Sequence, residues 1–208
     1  MYYALASLLL MPRRVDHFAR RRHVAATAAE LIAQGGLEAL TFRNVAHAAN
    51  CSTTVVTHYF EDKRDLLLST FREVASRQGA RFDDAKQRGF GVGGCLEALL
   101  PLDRARRDEW RLMTCFWCVA VSDRAFADEQ AGHVRSAQQR VRLMLPVEFP
   151  GIPDDQIDVS ARRLVGVVHG LGAQCALDPN PWPAEQLRQV LECELEALQI
   201  VSAARLSR

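Results

Sequence analysis

Hydroxyl and imidazole side chains between residues 53 and 58 carry the clearest chemical signal in the chain. On a helical wheel they fall within about 140° of one another, and the apolar residues of the same run fall on the other side. The polar members are Thr53, Thr54, Thr57 and His58. Such groups form hydrogen bonds with base edges and phosphates, and threonine methyls contact thymine methyls. The run therefore predicts a short helix that reads the DNA major groove, or alternatively the solvated face of a small bundle.

Two cations flank this run, each in the first turn of a predicted helix. Lys63 follows the capping residue Asp62, where free amides and the helix dipole already favour a phosphate. Arg43 follows the capping residue Thr41 and is placed to contact a phosphate or a guanine edge. Several donors are thus expected to converge on one surface.

The positive charge of the chain is concentrated near its start, although the net charge is only +1. Between residues 13 and 23, five arginines face a single acid, Asp16. They are Arg13, Arg14, Arg20, Arg21 and Arg22. A basic arm ahead of a helix can follow a phosphate backbone, and a solvated leader is the alternative.

Helical spacing of apolar residues throughout, without strand-like alternation, predicts an all-α fold. The first helix is expected over residues 16–34, with a glycine pair as its left-handed stop. Thr41, Ser52 and Asp62 are expected to cap the next three helices, and Asn50 to form the turn between two short ones. Two short helices joined by a tight turn, with a supporting helix on each side, predict a helix-turn-helix.

Beyond residue 88 the sequence predicts a larger helical unit. Residues 89–94 are expected to form a glycine-rich loop, followed by helices near residues 95–101, 104–122, 125–145, 154–177 and 184–203. Pro146, Pro150 and Pro153 are expected to break one junction. The predicted domains are an extension or basic arm (1–15), a DNA-binding helix-turn-helix domain (16–65) and a ligand-binding and dimerisation domain (66–208).

Residues 36–67 resemble the DNA-binding domain of TetR-type repressors, and the similarity is dense over residues 20–70. The resemblance implies an all-helical homodimer with an N-terminal three-helix DNA-binding domain and a C-terminal bundle that binds a small inducer. By position it implies the DNA contacts Arg43, Thr53, Thr54, Val55, Thr57, His58, Tyr59 and Lys63. Thr57 stands where many members have tyrosine, which makes the third helix resemble the subset similar to the betaine-pathway repressor BetI. Asn50 replaces the usual turn glycine.

The last two predicted helices are strongly amphipathic. Residues 157–175 repeat apolar side chains at helical spacing, and Gly166, Gly170 and Gly172 would allow close helix approach. Periodicity alone allows either an intrachain core or a four-helix bundle with a twofold mate. The family resemblance favours the dimer.

A bulky apolar stretch in the middle of the chain is the candidate ligand pocket, with a histidine from a later helix. The predicted ligand contacts are Met113, Phe116, Trp117, Val121 and His169. Such a pocket would suit a hydrophobic or aromatic effector. The alternative is ordinary core with a hydrogen-bonded histidine.

Other classes of protein fit the sequence less well. No run is long enough to cross a membrane, and residues 2–11 make a poor signal peptide, so we expect a cytoplasmic protein whose native start is Met11. The CxxC pair, Cys115 and Cys118, lies in an apolar helical run and is expected to be buried, without metal or cofactor. An enzyme using these thiols with His169 would lack an orienting group. The expected function is a repressor released from a palindromic operator by a small molecule; the alternative is a helical interaction protein without specific DNA binding.

Overall fold

The computed structural model describes residues 17–178, 180 and 182–206, and its regular elements are helical throughout this part of the chain. The nine α-helices in it are α1 (His17–Gly35), α2 (Phe42–Ala48), α3 (Thr53–Tyr59), α4 (Lys63–Gln87), α5 (Val92–Glu97), α6 (Arg104–Ala120), α7 (Arg124–Glu148), α8 (Asp154–Leu177) and α9 (Ala184–Leu206). A 3₁₀ turn, Leu37–Ala39, follows α1. The all-α prediction is confirmed. None of the described helices has the length and apolar character needed to span a bilayer.

Side-chain caps begin the three helices after α1 at the predicted residues. The Thr41 hydroxyl accepts the Asn44 N–H at 3.1 Å, and the Ser52 hydroxyl accepts the Val55 N–H at 3.3 Å. The Asp62 carboxylate accepts the Asp65 N–H at 2.7 Å. Each cap satisfies an amide that has no partner inside its helix.

Two residues with positive φ make the turns between these helices. Gly36 has φ 65° after α1, and Asn50 has φ 48° between α2 and α3. Asparagine tolerates this left-handed conformation better than most residues with a side chain. The Asn50 prediction is therefore confirmed, and the departure from glycine leaves the helix-turn-helix geometry intact.

In the N-terminal unit α3 packs on α2, α2 packs on α1, and α1 packs along α4. Its core is mainly apolar, and the buried side chains from the four helices and their junctions include Val24, Ala28, Ile32, Leu40, Val45, Val56, Phe60 and Leu66. Burial of Val56 and Phe60 holds α3 from one side, so its other side must face outward.

The C-terminal unit is a bundle in which α6, α7 and α8 pack on one another, and α6 and α7 also pack on α4. The short α5 lies against α4 and α9, and α9 also packs on α8. Trp110 of α6 is buried and its ring lies against the backbone of α8 at Gly172, where a Cβ atom would stand 2.2 Å from the Trp110 Cδ2 atom. This close approach is the glycine-mediated packing predicted for α8.

Two expectations about helix boundaries are wrong. Pro146 lies inside the last turn of α7, which continues to Glu148 instead of ending at the proline. Gly93 and Gly94 lie within α5, whose first amide, at Val92, donates to the Glu148 carboxylate. This contact with α7 places the start of α5 earlier in the chain than local sequence suggests.

The long helix α4 belongs to both units, since it runs without interruption through the predicted domain boundary at residue 65. The predicted N-terminal extension, including Met11, Arg13 and Arg14, lies outside the described residues.

Candidate DNA-binding surface and ligand cavity

Helix α3 presents a continuous polar face to solvent. Its four polar members, Thr53, Thr54, Thr57 and His58, are all exposed. Val56 is buried, and Val55 and Tyr59 are half-buried on the flanks. The predicted separation of polar and apolar side chains around α3 is therefore confirmed, and the polar groups are available to a partner.

Local contacts restrict two of these side chains. The Thr57 hydroxyl donates to the Thr54 carbonyl at 3.1 Å, so it must rotate to donate to a phosphate. The His58 ring lies 5.2 Å from the Tyr59 ring and 5.8 Å from the His17 ring, measured between centroids. His17, from the start of α1, was absent from the predicted site, because its proximity to α3 depends on how the helices pack.

Arg43 and Lys63 border this face from α2 and α4 and are both exposed. Within the described residues neither cation has an ion-pair partner. The surface composed of Arg43, Lys63 and the polar face of α3 is called the α3 surface below. It offers hydroxyl and imidazole groups at its centre and cationic groups at its edges.

Arginines of the predicted basic arm have a different role from the expected one. Arg21 lies inside α1, donates to Asp65 at 2.7 Å and to Ser69 at 2.8 Å, and stacks over Phe60 at 4.9 Å. Arg22 pairs with a carboxylate of α4 at 2.9 Å. These two residues fasten α1 to α4 and so position Lys63, instead of forming part of a free arm.

Ion pairs connect α4 to the N-terminal part of α7. Arg64, next to Lys63, donates to Asp123 at 2.7 Å and 3.0 Å, and its guanidinium lies 5.2 Å from the centre of the Phe126 ring. Two turns further along, Arg72 pairs with Glu129 at 2.7 Å. Any shift of α7 along α4 must disturb these pairs, which are called the α4–α7 pairs below.

A cavity of about 30 Å³, partly open to solvent, lies between α4, α5, α6, α7 and α8. Its walls are mainly apolar, with Phe82, Leu96 and Trp110 among the larger side chains. Gln78 is 4% exposed, lines the cavity, and its amide nitrogen has no hydrogen-bond partner. The volume is enough for about one water molecule. A larger ligand therefore requires the walls to move.

Two histidines line the cavity with parallel rings 6.2 Å apart. Burial lowers the pKa of His169 to about 4, with a further contribution from His133. Burial and the nearby Arg140 also lower the pKa of His133, against an opposing effect of Glu129. Both rings are therefore neutral at pH 7, and each can donate one hydrogen bond and accept another.

Of the five predicted ligand contacts, His169 alone is among the residues that line this cavity. Met113 and Phe116 are fully buried, and Phe116 stacks between Phe71 and Phe126. Trp117 is half-buried beside Trp110 and His169. Trp117 thus supports the cavity wall from behind, whereas Met113 and Phe116 belong to the hydrophobic core.

Val121 is the clear exception among the predicted ligand contacts. It is 90% exposed, because α6 ends there and the chain turns toward α7. Val121 is therefore removed from the candidate pocket. Trp110, Gln78 and His133 take its place, and the sequence contained a signal only for Trp110, through its position in the same apolar stretch.

Comparison with known proteins gives a consistent result for both units. Residues 25–70 match the bacterial regulatory proteins of the tetR family, and residues 92–199 match the BetI-type transcriptional repressor C-terminal domain. The chain belongs to the TetR family. Within that family it falls in the BetI-like subset, and it is a transcriptional regulator with a helix-turn-helix and a ligand-binding C-terminal domain.

Full-length relatives resemble this TetR-family chain over most of its length. The regulator PksA of Bacillus subtilis is 23% identical over 90% of this chain and 94% of its own. The regulator BetI of Paraburkholderia phymatum is 26% identical over 93% of this chain and 100% of its own.

Solved structures of regulators share the fold. A transcriptional regulator from Rhodococcus sp. Rha1 has a TM-score of 0.76 at 25% identity and covers 86% of this chain and 95% of its own. A putative regulator from Saccharomonospora viridis, solved in complex with choline, has a TM-score of 0.73 at 22% identity, with coverage of 86% and 96%.

TetR-family relatives are regulators and not enzymes, and the thiols of this chain agree with that assignment. Burial raises the pKa of Cys115, which opposes the thiolate form that nucleophilic catalysis needs. Cys118 is exposed, contrary to the expectation of a buried pair, because it lies on the outer side of α6. In the described part of the chain, no three His, Cys, Asp or Glu side chains are grouped to hold a metal ion.

Proposed function

We propose that this protein is a homodimeric repressor that binds a near-palindromic operator and leaves it when a small organic effector binds. The outward polar face of α3, with a cation at each edge, is the observation that carries the proposal. Hydroxyls and imidazole at the centre suit base readout, while Arg43 and Lys63 suit phosphates. Operator DNA lies in the bacterial cytoplasm, so the repressor acts there.

The predicted DNA contacts are therefore proposed with separate roles. Thr53, Thr54 and His58 are proposed to read bases, with the half-buried Val55 offering a methyl contact to thymine. Thr57 and Tyr59 are proposed to donate to phosphates, since they lie along the flanks of α3.

An exposed stripe on α8 supports the dimer. Val159 and Leu177 are 56% and 74% exposed, and Gly166 and Gly170 lie between them on the same face. A Cβ atom added at either glycine would have no neighbour within 4 Å, so a second helix has room to approach closely. Two copies of α8 and α9 would then form a four-helix bundle around a twofold axis.

Such a dimer places its two α3 helices in successive major grooves, about 34 Å apart along the DNA. Ligand release is proposed to act through α4. Its first residue, Lys63, lies at the DNA surface, while Arg64 and Arg72 bind α7, which lines the cavity. A ligand that moves α7 to enlarge the cavity would change the spacing of the two α3 helices and favour a conformer that does not fit the operator.

Selection of random duplex DNA by the purified protein tests the proposal. A repressor of this kind enriches a palindrome with half-sites about one turn apart, and the enriched duplex holds one dimer. Absence of any enriched sequence, with only salt-sensitive binding to all duplexes, would support the alternative of a helical interaction protein. The same selection with a Thr54→Val variant tests the assigned base readout, since this variant should enrich a different half-site.

A further inference from the structure

We propose that the effector is a small apolar molecule with a carboxylate group, which Arg140 recognises at the mouth of the cavity. The inference rests on the proposed function, because it assumes that this cavity is where the effector binds. It departs from the choline seen in the Saccharomonospora viridis regulator, and it rests on the groups that line the cavity in this chain.

The polar side chains that line the cavity are the Gln78 amide, the Arg140 guanidinium and two neutral histidine rings. Gln78 has an unpartnered amide nitrogen there, and Arg140 brings the one charged side chain among the described residues that line it. Neither aspartate nor glutamate is among those lining residues. A quaternary ammonium ligand would thus find no carboxylate in the cavity wall, since Asp83, which pairs with Arg140, does not line the cavity. A ligand carboxylate would meet complementary groups.

Arg140 also stands where the cavity meets an open surface groove between α4 and α7. His133 and Arg140 line both the cavity and this groove, so they form the partition between them. A ligand that enters from the groove must pass these two side chains. The recognition group would therefore meet the ligand at the entrance, with the apolar walls beyond it.

The partition is closed by an ion pair that a ligand can replace. The Arg140 Nε donates to Asp83 at 3.1 Å, and the second contact, from Nη2, is long at 3.5 Å. Gly79 of α4 lies under the guanidinium, and a Cβ atom there would stand 3.0 Å from the Arg140 Nη2 atom. The absence of a side chain at Gly79 thus lets the guanidinium lie against α4. Its acceptor there is the Asp83 carboxylate, which a ligand carboxylate could replace.

An incoming carboxylate would exchange with Asp83 on Arg140 and accept a second hydrogen bond from Gln78. The apolar body of the ligand would lie against Phe82, Leu96 and Val165, whose side chains wall the cavity. Because the cavity holds only about one water when closed, the body must displace the partition. That displacement moves α7 at the α4–α7 pairs, which links recognition to DNA release.

Three aromatic ligands of related structure that differ in charge test the proposal by calorimetry on the full-length protein. The probes are phenylacetate, phenylacetamide and benzyltrimethylammonium. We expect phenylacetate to bind at least tenfold more tightly than phenylacetamide, because a charged acceptor on a guanidinium binds more strongly than a neutral one. Equal or tighter binding of benzyltrimethylammonium, or no binding of any of the three, would overturn the proposal.

Substitutions then locate the recognition group. Arg140→Met should bring the affinities of phenylacetate and phenylacetamide to within about twofold of each other. Arg142→Met removes the same charge from the same helix, at an exposed arginine paired with Asp158 at 2.6 Å outside the cavity, and should keep the tenfold preference. A preference lost in both variants, or kept in both, contradicts the assignment.

Asp83→Asn provides a second, independent readout. Removing the competing carboxylate should tighten phenylacetate binding severalfold and leave phenylacetamide nearly unchanged, while weaker phenylacetate binding would count against an exchange at Arg140. These measurements contain no DNA. A protein that selects no operator but prefers phenylacetate through Arg140 would refute the proposed function alone, and a specific operator binder without that preference would refute only the effector class.

Discussion

Lys63 and the hydroxyl groups of α3 lie on the same surface but should contribute to DNA binding in different ways. Lys63 is an exposed cation at a helix N-terminus. Its proposed contact with a phosphate would carry no sequence information and would release a counterion. The threonine and histidine groups are uncharged donors and acceptors suited to base edges. Affinity and specificity are therefore assigned to different residues of the α3 surface.

Lys63→Met should weaken binding to every duplex by about tenfold and make the dependence of log affinity on log salt shallower by about 1 per protomer. Thr54→Val should leave that slope unchanged and alter base preference at one position of each half-site. Fluorescence anisotropy titrations between 50 and 200 mM salt, about the range over which counterion release is measured, give both quantities.

Lys86→Met is the matched control for Lys63, since Lys86 is an exposed lysine at the opposite end of the same helix. It should change neither the affinity nor the slope appreciably. If the Lys63 and Lys86 variants lost affinity equally, the effect would belong to net charge and not to a phosphate contact.

His169 makes stability depend on pH through its buried ring. Its pKa falls from 6.5 in the unfolded chain to about 4 in the folded protein. Between these two pH values the ring is therefore mainly protonated in the unfolded chain and mainly neutral in the folded protein. The free energy of unfolding should therefore fall as pH drops from 6.5 to 4, by about 2–3 kcal/mol from this residue. His133, whose pKa is also lowered, contributes in the same direction.

Urea unfolding of the wild type and of His169→Gln at pH 7 and pH 4.5 isolates this contribution. The loss of stability on acidification should be smaller in the variant, whatever its stability at pH 7. His47→Gln replaces an exposed histidine of α2 and should retain the full wild-type loss. Parallel pH dependence in the wild type and His169→Gln would show that the ring is not kept neutral by burial.

At the scale of helices, the α6–α8 contact depends on the absence of one side chain. A Cβ atom at Gly172 would stand 2.2 Å from one atom of the Trp110 ring and 2.4 Å from two others, all in a buried, rigid group. Because the indole nitrogen is also tied to the Leu99 carbonyl at 2.9 Å, the ring cannot simply turn away. The two helices must separate to admit even alanine.

Gly172→Ala should lower the free energy of unfolding by about 3 kcal/mol, as expected for strong overpacking of a core. Gly132→Ala is the control, because Gly132 is also a helical glycine but an added Cβ would lie 3.8 Å from the Arg135 guanidinium, at ordinary contact distance. That variant should be stabilised by about 0.5–1 kcal/mol through helix propensity. Chemical unfolding of both variants measures the difference. Equal stabilities would contradict the close contact between Gly172 and Trp110.

Local sequence predicts those elements of this fold whose boundaries are determined locally. Thr41, Ser52 and Asp62 cap their helices with their own side chains, so their neighbours in sequence are enough to identify them. The outward face of α3 follows from periodicity in the same way. Arg21 is different, because its pairing with Asp65 joins residues 44 positions apart.

The cavity was harder to predict than the α3 surface because it too depends on contacts between residues that are far apart in sequence. Its lining combines side chains from α4, α5, α6, α7 and α8, and no periodicity within one helix shows which of them meet. Phe116 and Val121 lie on the same helical stretch, yet one is fully buried and the other is 90% exposed at the helix end. Hydrophobicity therefore identified α6 as a helix near the cavity, but not which of its side chains line the cavity.

At the scale of the whole molecule, α4 belongs to both units and α8 carries the exposed stripe proposed as the dimer surface. The α4–α7 pairs, Arg64–Asp123 and Arg72–Glu129, connect the N-terminal end of α4, where DNA is proposed to bind, to the helix that borders the cavity. Each protomer can therefore transmit a change in its cavity to its own α3. Cooperative release of a palindrome additionally requires that the two protomers be held together.

Gly166→Arg tests that requirement at the exposed stripe of α8. Within the protomer the added side chain meets nothing within 4 Å of its Cβ and lies on an exposed helical position, so folding of each chain should be unaffected. At a close helix-helix interface the same side chain cannot fit. Light scattering should show conversion of dimer to monomer, with at least a hundredfold loss of affinity for the palindrome and little change for an isolated half-site.

Val121→Arg adds the same charge at an exposed valine at the end of α6, outside the stripe, and should remain dimeric. A Gly166→Arg protein that stays dimeric with full operator affinity would place the interface elsewhere, because no partner helix could then approach α8 along this face.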